Sequence, residues 1–130
     1  MAAPSKIILL AHGSSDRRWC ETFETLAKPT LEAVAGSVVA YMELSEPGME
    51  TVVAEAAAEG YEHVTVLPLF LAAGRHLRKD VPAMIADMEA RYRIAISLAP
   101  PVGENPQLGL AIRDVVEVTL ANSTPAGANS

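Results

Sequence analysis

The sequence predicts an α/β fold, a four-stranded parallel sheet of order 2-1-3-4 with helices on both faces. Three observations carry that prediction. Short apolar runs alternate with longer stretches whose apolar residues recur at three- and four-residue spacing. The first run, IILLA at 7–11, has no polar partner positions, as expected of a parallel strand covered on both faces. Four strands alternating with four helices call for parallel pairing and right-handed crossovers.

The elements follow in order. After 7–11 the chain stops at HGSSD, where Ser14, Ser15 or Asp16 can cap a helix. Trp19, Phe23, Leu26, Ala27, Thr30, Leu31 and Val34 give that helix its apolar spacing, and Pro29 is expected to kink or break it. SVVAYM at 37–42 is the second strand, ended by ELSEPG. An alanine-rich helix runs from about Met49 to Glu59 and closes at Gly60. HVTVLPLF at 63–70 contains the third strand; Pro68 has no N–H to donate, so regular pairing is expected to end near Leu67. A third helix starts at Val81 or Pro82 and continues to about Tyr92. RIAISL at 93–98 is the fourth strand, APPVGENP a loop, and 107–120 the last helix. Residues 1–120 thus form a single domain, and the small polar tail 121–130 is expected to be disordered.

Composition narrows the function. A chain of 130 residues supports one core. Its net charge of −6 removes nucleic acid as a default partner, since binding phosphates requires a basic face. A single cysteine, Cys20, and no Cys-x-x-Cys pattern point to a reducing compartment. The apolar run after Lys6 is too short for a secretory signal, and nothing approaches the ~18 apolar residues of a membrane span. A cytoplasmic protein without membrane contact is expected.

A 2-1-3-4 sheet is flavodoxin-like, and its first and third strands open a crevice at their carboxyl ends where ligands bind. His12 follows the first strand, Glu43 ends the second and His76 follows the third. Two imidazoles at such a crevice can coordinate a divalent transition metal, accept protons near neutral pH, or do both. A structural zinc site would need about four protein ligands, so an exchangeable metal or a proton-transfer site fits better. Glu43 can add a carboxylate, although a glutamate at a strand end is commonly just solvated. Arg75, Arg78 and Lys79 lie beside His76 near a helix start, where positive charge opposes the helix dipole and an anionic ligand would offset the cost. Gly13 and Gly74 suit tight turns with close ligand approach. His63, at the opposite end of the sheet, reads as structural. Cys20 reads as an inert, partly buried helix residue and Trp19 as a packing residue.

LLAHGSSD (9–16), YMELSEP (41–47), LPLFLAAGRHLRKDVP (67–82) and LAPPVGENPQL (98–108) occur in an order and spacing that resemble the CbiX-type sirohydrochlorin chelatases, short single-domain form, within the class II chelatase superfamily. The resemblance covers nearly the whole chain except the tail. It implies a chelatase-like fold and a lyase that inserts a divalent metal into sirohydrochlorin or a related anionic tetrapyrrole, for cobalamin or siroheme-type cofactors. The metal, cobalt foremost and nickel or iron in related members, is then a substrate, and no cofactor is expected to be permanently bound. Carried over by motif, His12 and His76 would bind the metal, His12 would also accept a pyrrole proton, and Glu43 would complete the catalytic set. Glu43 and the loop Leu71, Ala72, Ala73, Gly74, Arg75 and His76 would face the macrocycle, whose carboxylates Arg75, Arg78 and Lys79 could pair. Larger relatives carry two such domains in one chain, so a homodimer is expected to restore a two-lobed cleft.

Three other functions compete. A non-catalytic metal or tetrapyrrole carrier would use the same residues without turnover. A strand followed by His-Gly is similar to the histidine phosphatases, but those need an arginine immediately before the histidine, where this chain has Ala11. A regulatory flavodoxin-like module offers no account of two histidines at the crevice.

Overall fold

The computed structural model describes residues 5–123. Strands β1 (Ser5–Ala11), β2 (Ser37–Tyr41), β3 (His63–Pro68) and β4 (Ala95–Leu98) form one parallel sheet in the order β2-β1-β3-β4. Helices α1 (Arg17–Ala33), α2 (Met49–Ala58), α3 (Val81–Tyr92) and α4 (Pro106–Asn122) alternate with them, as expected from the apolar spacing. The expected tail overlaps the end of α4, which continues through Asn122; residues 124–130 lie outside the described residues. Among the described residues no helix is long and apolar enough to cross a membrane.

Strand alternation sorts the core into two layers. Ile8 and Leu10 of β1, Val64 and Val66 of β3 and Ile96 of β4 face α2 and α3, where they meet Val52, Val53, Ala56, Val81, Ile85 and Met88. Leu9 and Ala11 turn the other way and pack with Val39, Tyr41 and the α1 residues Cys20 and Ala27. The central strand β1 is therefore apolar at every core position because both of its faces are covered.

Three local expectations are corrected. Pairing runs past Pro68: Leu10 lies opposite it, and the Leu69 N–H donates to the Leu10 carbonyl at 2.8 Å. The proline is tolerated because alternate residues of β3 bond to opposite sides. The position of Pro68 looks toward β4, which has already ended opposite Val66. Of the kink or break expected at Pro29, the break is overturned: helix α1 continues through it. Trp19 does not pack: it is 61% exposed, because α1 turns the Cys20 and Ala27 face to the sheet and carries Trp19 and Leu26 outward.

Helical winding also starts earlier than Val81. A π-helical turn, His76–Asp80, leads straight into α3, and Leu77, Val81, Ile85 and Met88 form one buried stripe at i, i+4, i+8 and i+11. Inside a continuous helix Pro82 would lack its N–H and its ring would press on the carbonyl of residue 78; the wider π turn makes room there. Leu77 pins this turn to the core while Arg75, Arg78 and Lys79 stay exposed.

The last core residue of β2 has a pH consequence. Tyr41 is buried, and its hydroxyl donates to Glu24 Oε2 at 2.9 Å. Burial first, then the neighbouring Glu24 carboxylate, push its phenol well above its ordinary value of 10.0. The unfolded phenol ionises near that ordinary value and the folded one does not, so this contribution to stability is complete below pH ~10 and is lost as pH rises through the folded pKa. Thermal unfolding should therefore fall above pH ~10, and Tyr41→Phe should show a shallower fall than the wild type in the same range.

Candidate functional site

The site is assembled by three loops at the carboxyl ends of β1, β2 and β3. The first two are joined along their backbones. The Met42 N–H donates to the Ala11 carbonyl at 3.0 Å and the Glu43 N–H to the His12 carbonyl at 3.3 Å. Ser45 Oγ accepts from the Ser14 N–H at 3.0 Å and donates to the Ser14 carbonyl at 2.7 Å, while Cys20 Sγ lies 3.0 Å from the same hydroxyl. Cys20 is thus buried and hydrogen-bonded, tying α1 to both loops.

Glycine at position 13 makes this approach possible. Its φ is +97°, and a Cβ there would lie 1.8 Å from the Glu43 carbonyl oxygen. A second close approach holds the third loop. Gly103 donates its N–H to the Phe70 carbonyl at 2.9 Å, and a Cβ on Gly103 would lie 1.8 Å from the Leu71 carbonyl oxygen. The open surroundings of Gly74 impose no comparable constraint.

His12 is exposed at the mouth of β1, with its imidazole set edge-on against the Phe70 ring, centroids 5.8 Å apart and planes at 70°. The two rings share a hollow of about 190 Å³ with Ala72, Gly74, Arg75 and Leu77. Arg75 also lines an adjoining recess of about 420 Å³ with Arg78 and Lys79. An imidazole and aromatic mouth therefore passes through one arginine into a recess whose lining, among the described residues, is cationic. In a protein of net charge −6, that recess gathers positive charge of the kind that can attract an anion.

Of the residues expected at the site, His12, Ala72, Gly74 and Arg75 meet in the first hollow, and Arg75, Arg78 and Lys79 in the second. Glu43 comes beside His12 by its backbone, with its side chain exposed at the rim. Leu71 is 77% exposed, whereas Ala73 is half-buried against the core. The backbone of His76 opens the π turn; its side chain lies outside the described residues. Among the described residues no three His, Cys, Asp or Glu side chains group to hold a metal. Phe70 and Leu77 were not expected at the site. Phe70 lies in the apolar run after Pro68, past the expected end of pairing, where nothing marks it off from its neighbours, and Leu77 stands between charged residues, where only helical phasing with Val81 and Ile85 marks it as buried.

The remaining residues near the helix entry have structural partners. Asp16 caps α1 by accepting from the Arg18 N–H and pairs with its guanidinium at 3.0 Å. Arg17 pairs with Glu24, the acceptor of Tyr41. At the far end of the sheet, His63 Nε2 lies 2.8 Å from Ser97 Oγ, in keeping with a structural role.

The CbiX family model matches residues 6–119. A sirohydrochlorin cobaltochelatase from Sulfurisphaera tokodaii is 24% identical over 91% of this chain and 96% of its own length. The chloroplastic sirohydrochlorin ferrochelatase of Arabidopsis thaliana is 29% identical over 89% of this chain but only 53% of its own length. Among solved structures, a CbiX protein from Marinobacter aquaeolei VT8 superposes with a TM-score of 0.88 at 62% identity, covering 91% of this chain and 96% of that one. The sirohydrochlorin chelatase SirB from Bacillus subtilis subspecies spizizenii, in complex with cobalt, gives 0.70 at 26% identity, covering 87% of this chain and 50% of SirB. With a family match over nearly all the described residues and the strand order, loops and motifs in place, the chain belongs to the CbiX family, the sirohydrochlorin chelatase-type lyases.

Proposed function

We propose that this protein is a cytoplasmic homodimer that inserts cobalt(II) into sirohydrochlorin. The observation that carries the reading is the pairing of His12, at the aromatic hollow, with the cationic recess it reaches through Arg75. Metallation removes two N–H protons from the macrocycle and brings a partly desolvated cation to one face of the ring. An imidazole serves both steps, as a ligand to the incoming metal and as a base for a departing proton. His12 fills that role at the hollow, with His76 on the following turn as its partner in holding the metal. Phe70 limits the swing of the His12 ring and gives the macrocycle an apolar edge to lie against. Arg75, Arg78 and Lys79 pair with the peripheral carboxylates, which sets the ring over His12. Glu43, at the rim, receives a proton or steers the cation.

Cobalt is preferred on the relatives' side, since cobaltochelatases recur among the matches that span most of their own length. Imidazole and carboxylate ligands accept iron as well, and the plant relative is a ferrochelatase. The homodimer rests on size. The hollow at His12 is smaller than the ~300 Å³ at which small-molecule pockets begin, and the relatives matched over about half their length have room for a second lobe.

Sirohydrochlorin absorbance followed anaerobically with excess cobalt(II) and protein far below the tetrapyrrole tests the proposal. Many ring insertions per chain, well above the protein-free rate, are expected. Binding that stops at one tetrapyrrole per site, with no acceleration, would make the protein a carrier. The triple variant Arg75→Glu, Arg78→Glu, Lys79→Glu should weaken sirohydrochlorin binding on the order of tenfold or more, because three exposed pairings are replaced by repulsion. Unchanged affinity in a titration would remove the recess from the site.

A further inference from the structure

Ser45 stands two residues beyond Glu43, and its partner Ser14 stands two residues beyond His12, so a single hydroxyl spans the segments that carry both groups. A serine hydroxyl offers one proton and two lone pairs. Here the proton goes to the Ser14 carbonyl at 2.7 Å, and one lone pair takes the Ser14 N–H at 3.0 Å. Cys20 Sγ, 3.0 Å away, therefore meets the second lone pair and is the donor of that contact. The hydroxyl is saturated. Because both of its Ser14 partners are backbone groups, the contact fixes the course of the chain after His12 rather than the rotamer of one side chain.

The direct tie between the two functional residues is weaker. The Glu43 N–H reaches the His12 carbonyl at 3.3 Å, longer than either Ser14 bond. Leu44, between Glu43 and Ser45, has left-handed backbone at φ 63°, which a Cβ opposes. Its side chain is 70% exposed, so burial does not offset that cost. What the turn achieves is the return of Ser45 onto Ser14. Backbone strain of this kind persists where the surroundings hold it, and the Ser45 hydroxyl is the group that does so here. At the opposite end of the sheet, Ser37 joins the same two elements: its hydroxyl, at the start of β2, donates to the Val34 carbonyl at the end of α1 at 2.7 Å.

We propose that Ser45 is a positioning residue for metal insertion: it holds His12 and Glu43 in the arrangement that the incoming cation requires, without itself touching metal or macrocycle. With the hydroxyl gone, the Ser14 N–H and carbonyl lose this partner, and the two loops are left with the backbone bonds at Ala11 and His12. Displacing a reacting group by about 1 Å costs up to ~10²-fold in rate. The bonds of Ser45 run to Ser14 and Cys20, away from the recess of Arg75, Arg78 and Lys79, so the grip on the tetrapyrrole carboxylates is spared. The inference rests on the metallation proposed above and adds to it the residue that aligns the first two loops.

The test compares Ser45→Ala, Ser45→Thr and Ser37→Ala with the wild type in anaerobic cobalt(II) insertion, separating kcat from KM for sirohydrochlorin. Ser45 is half-buried, so its truncation opens no cavity in the core. Ser45→Ala is expected to lose ~10–10²-fold in kcat with little change in KM. Ser45→Thr, which keeps the hydroxyl, should recover most of that rate. Ser37→Ala, which cuts a hydroxyl bond between the same two elements, should keep the wild-type kcat. Wild-type kcat in Ser45→Ala would overturn the proposal, as would an equal loss in Ser37→Ala, or a Ser45→Thr variant that melts like the wild type yet is as slow as Ser45→Ala. A second readout needs no turnover. The His12 imidazole lies in the ring current of Phe70, 5.8 Å away, so its proton resonances report its place. Ser45→Ala should shift them and Ser37→Ala should not; unmoved His12 resonances in Ser45→Ala would overturn the proposal even where activity falls. A wild type that inserts no metal, with the Ser45→Ala shift present, would strike the chelatase reading and leave the positioning of His12 standing.

Discussion

Gly13→Ala is expected to cost about 2–5 kcal/mol of stability and to abolish most sirohydrochlorin binding. Two independent penalties meet at this residue. The backbone has φ +97°, which a Cβ opposes, and the new methyl would lie inside the Glu43 carbonyl, 1.8 Å from its oxygen. The obstruction is backbone, so no rotamer change relieves it. Either the HGSS loop or the Glu43 loop must move, breaking the hydrogen bond between the Glu43 N–H and the His12 carbonyl and the Ser45 contacts to Ser14. His12 would then lose the loop that positions it. Thermal unfolding and a binding titration on the same sample check both halves, and a variant of wild-type stability and affinity would contradict this account of the loops.

The second large effect is at Gly103. Here no unusual φ is involved, only space: an alanine Cβ would fall 1.8 Å from the Leu71 carbonyl oxygen and 2.4 Å from its Cα. Gly103→Ala is expected to cost about 1–3 kcal/mol and to displace the loop carrying Phe70, Ala72 and Gly74. That loop forms one wall of the His12 hollow, so tetrapyrrole affinity should fall more than stability alone requires. Unfolding that shifts while affinity in the folded protein stays at the wild-type value would show that Leu71 and its neighbours do not form the wall.

Of these two glycines, Gly13 was legible as a turn residue after the first strand and Gly103 was not. The alternation of IILLA, SVVAY, HVTVLP and AISL with helical spacing was sufficient for the sheet order, because parallel strands covered on both faces and short right-handed crossovers leave few topologies. His12 and the Arg75 to Lys79 cluster were legible because they stand just after apolar runs, where the crevice must lie. Gly103 was not, since its partner Leu71 is fixed only by three-dimensional packing. Phe70 read only as part of the apolar margin after the third strand, and Leu77 was hidden among charges until the π turn carried the buried stripe of α3 one turn upstream. Residues 107–120 read as the last helix, and that reading did not show that the helix would bury none of its side chains among the described residues. Spacing likewise misled at Trp19, where the apolar stripe of α1 is wider than the contact it makes.

The most direct test of the central claim is the rate of cobalt insertion at saturating sirohydrochlorin for His12→Ala and His76→Ala beside the wild type. A loss of ~10²–10⁴-fold in each, with sirohydrochlorin still bound, is the predicted result, because the ligand and base for the incoming metal would be gone while the cationic recess remained. Insertion at the wild-type rate by His12→Ala would contradict it, and would move the chemistry away from the mouth of β1.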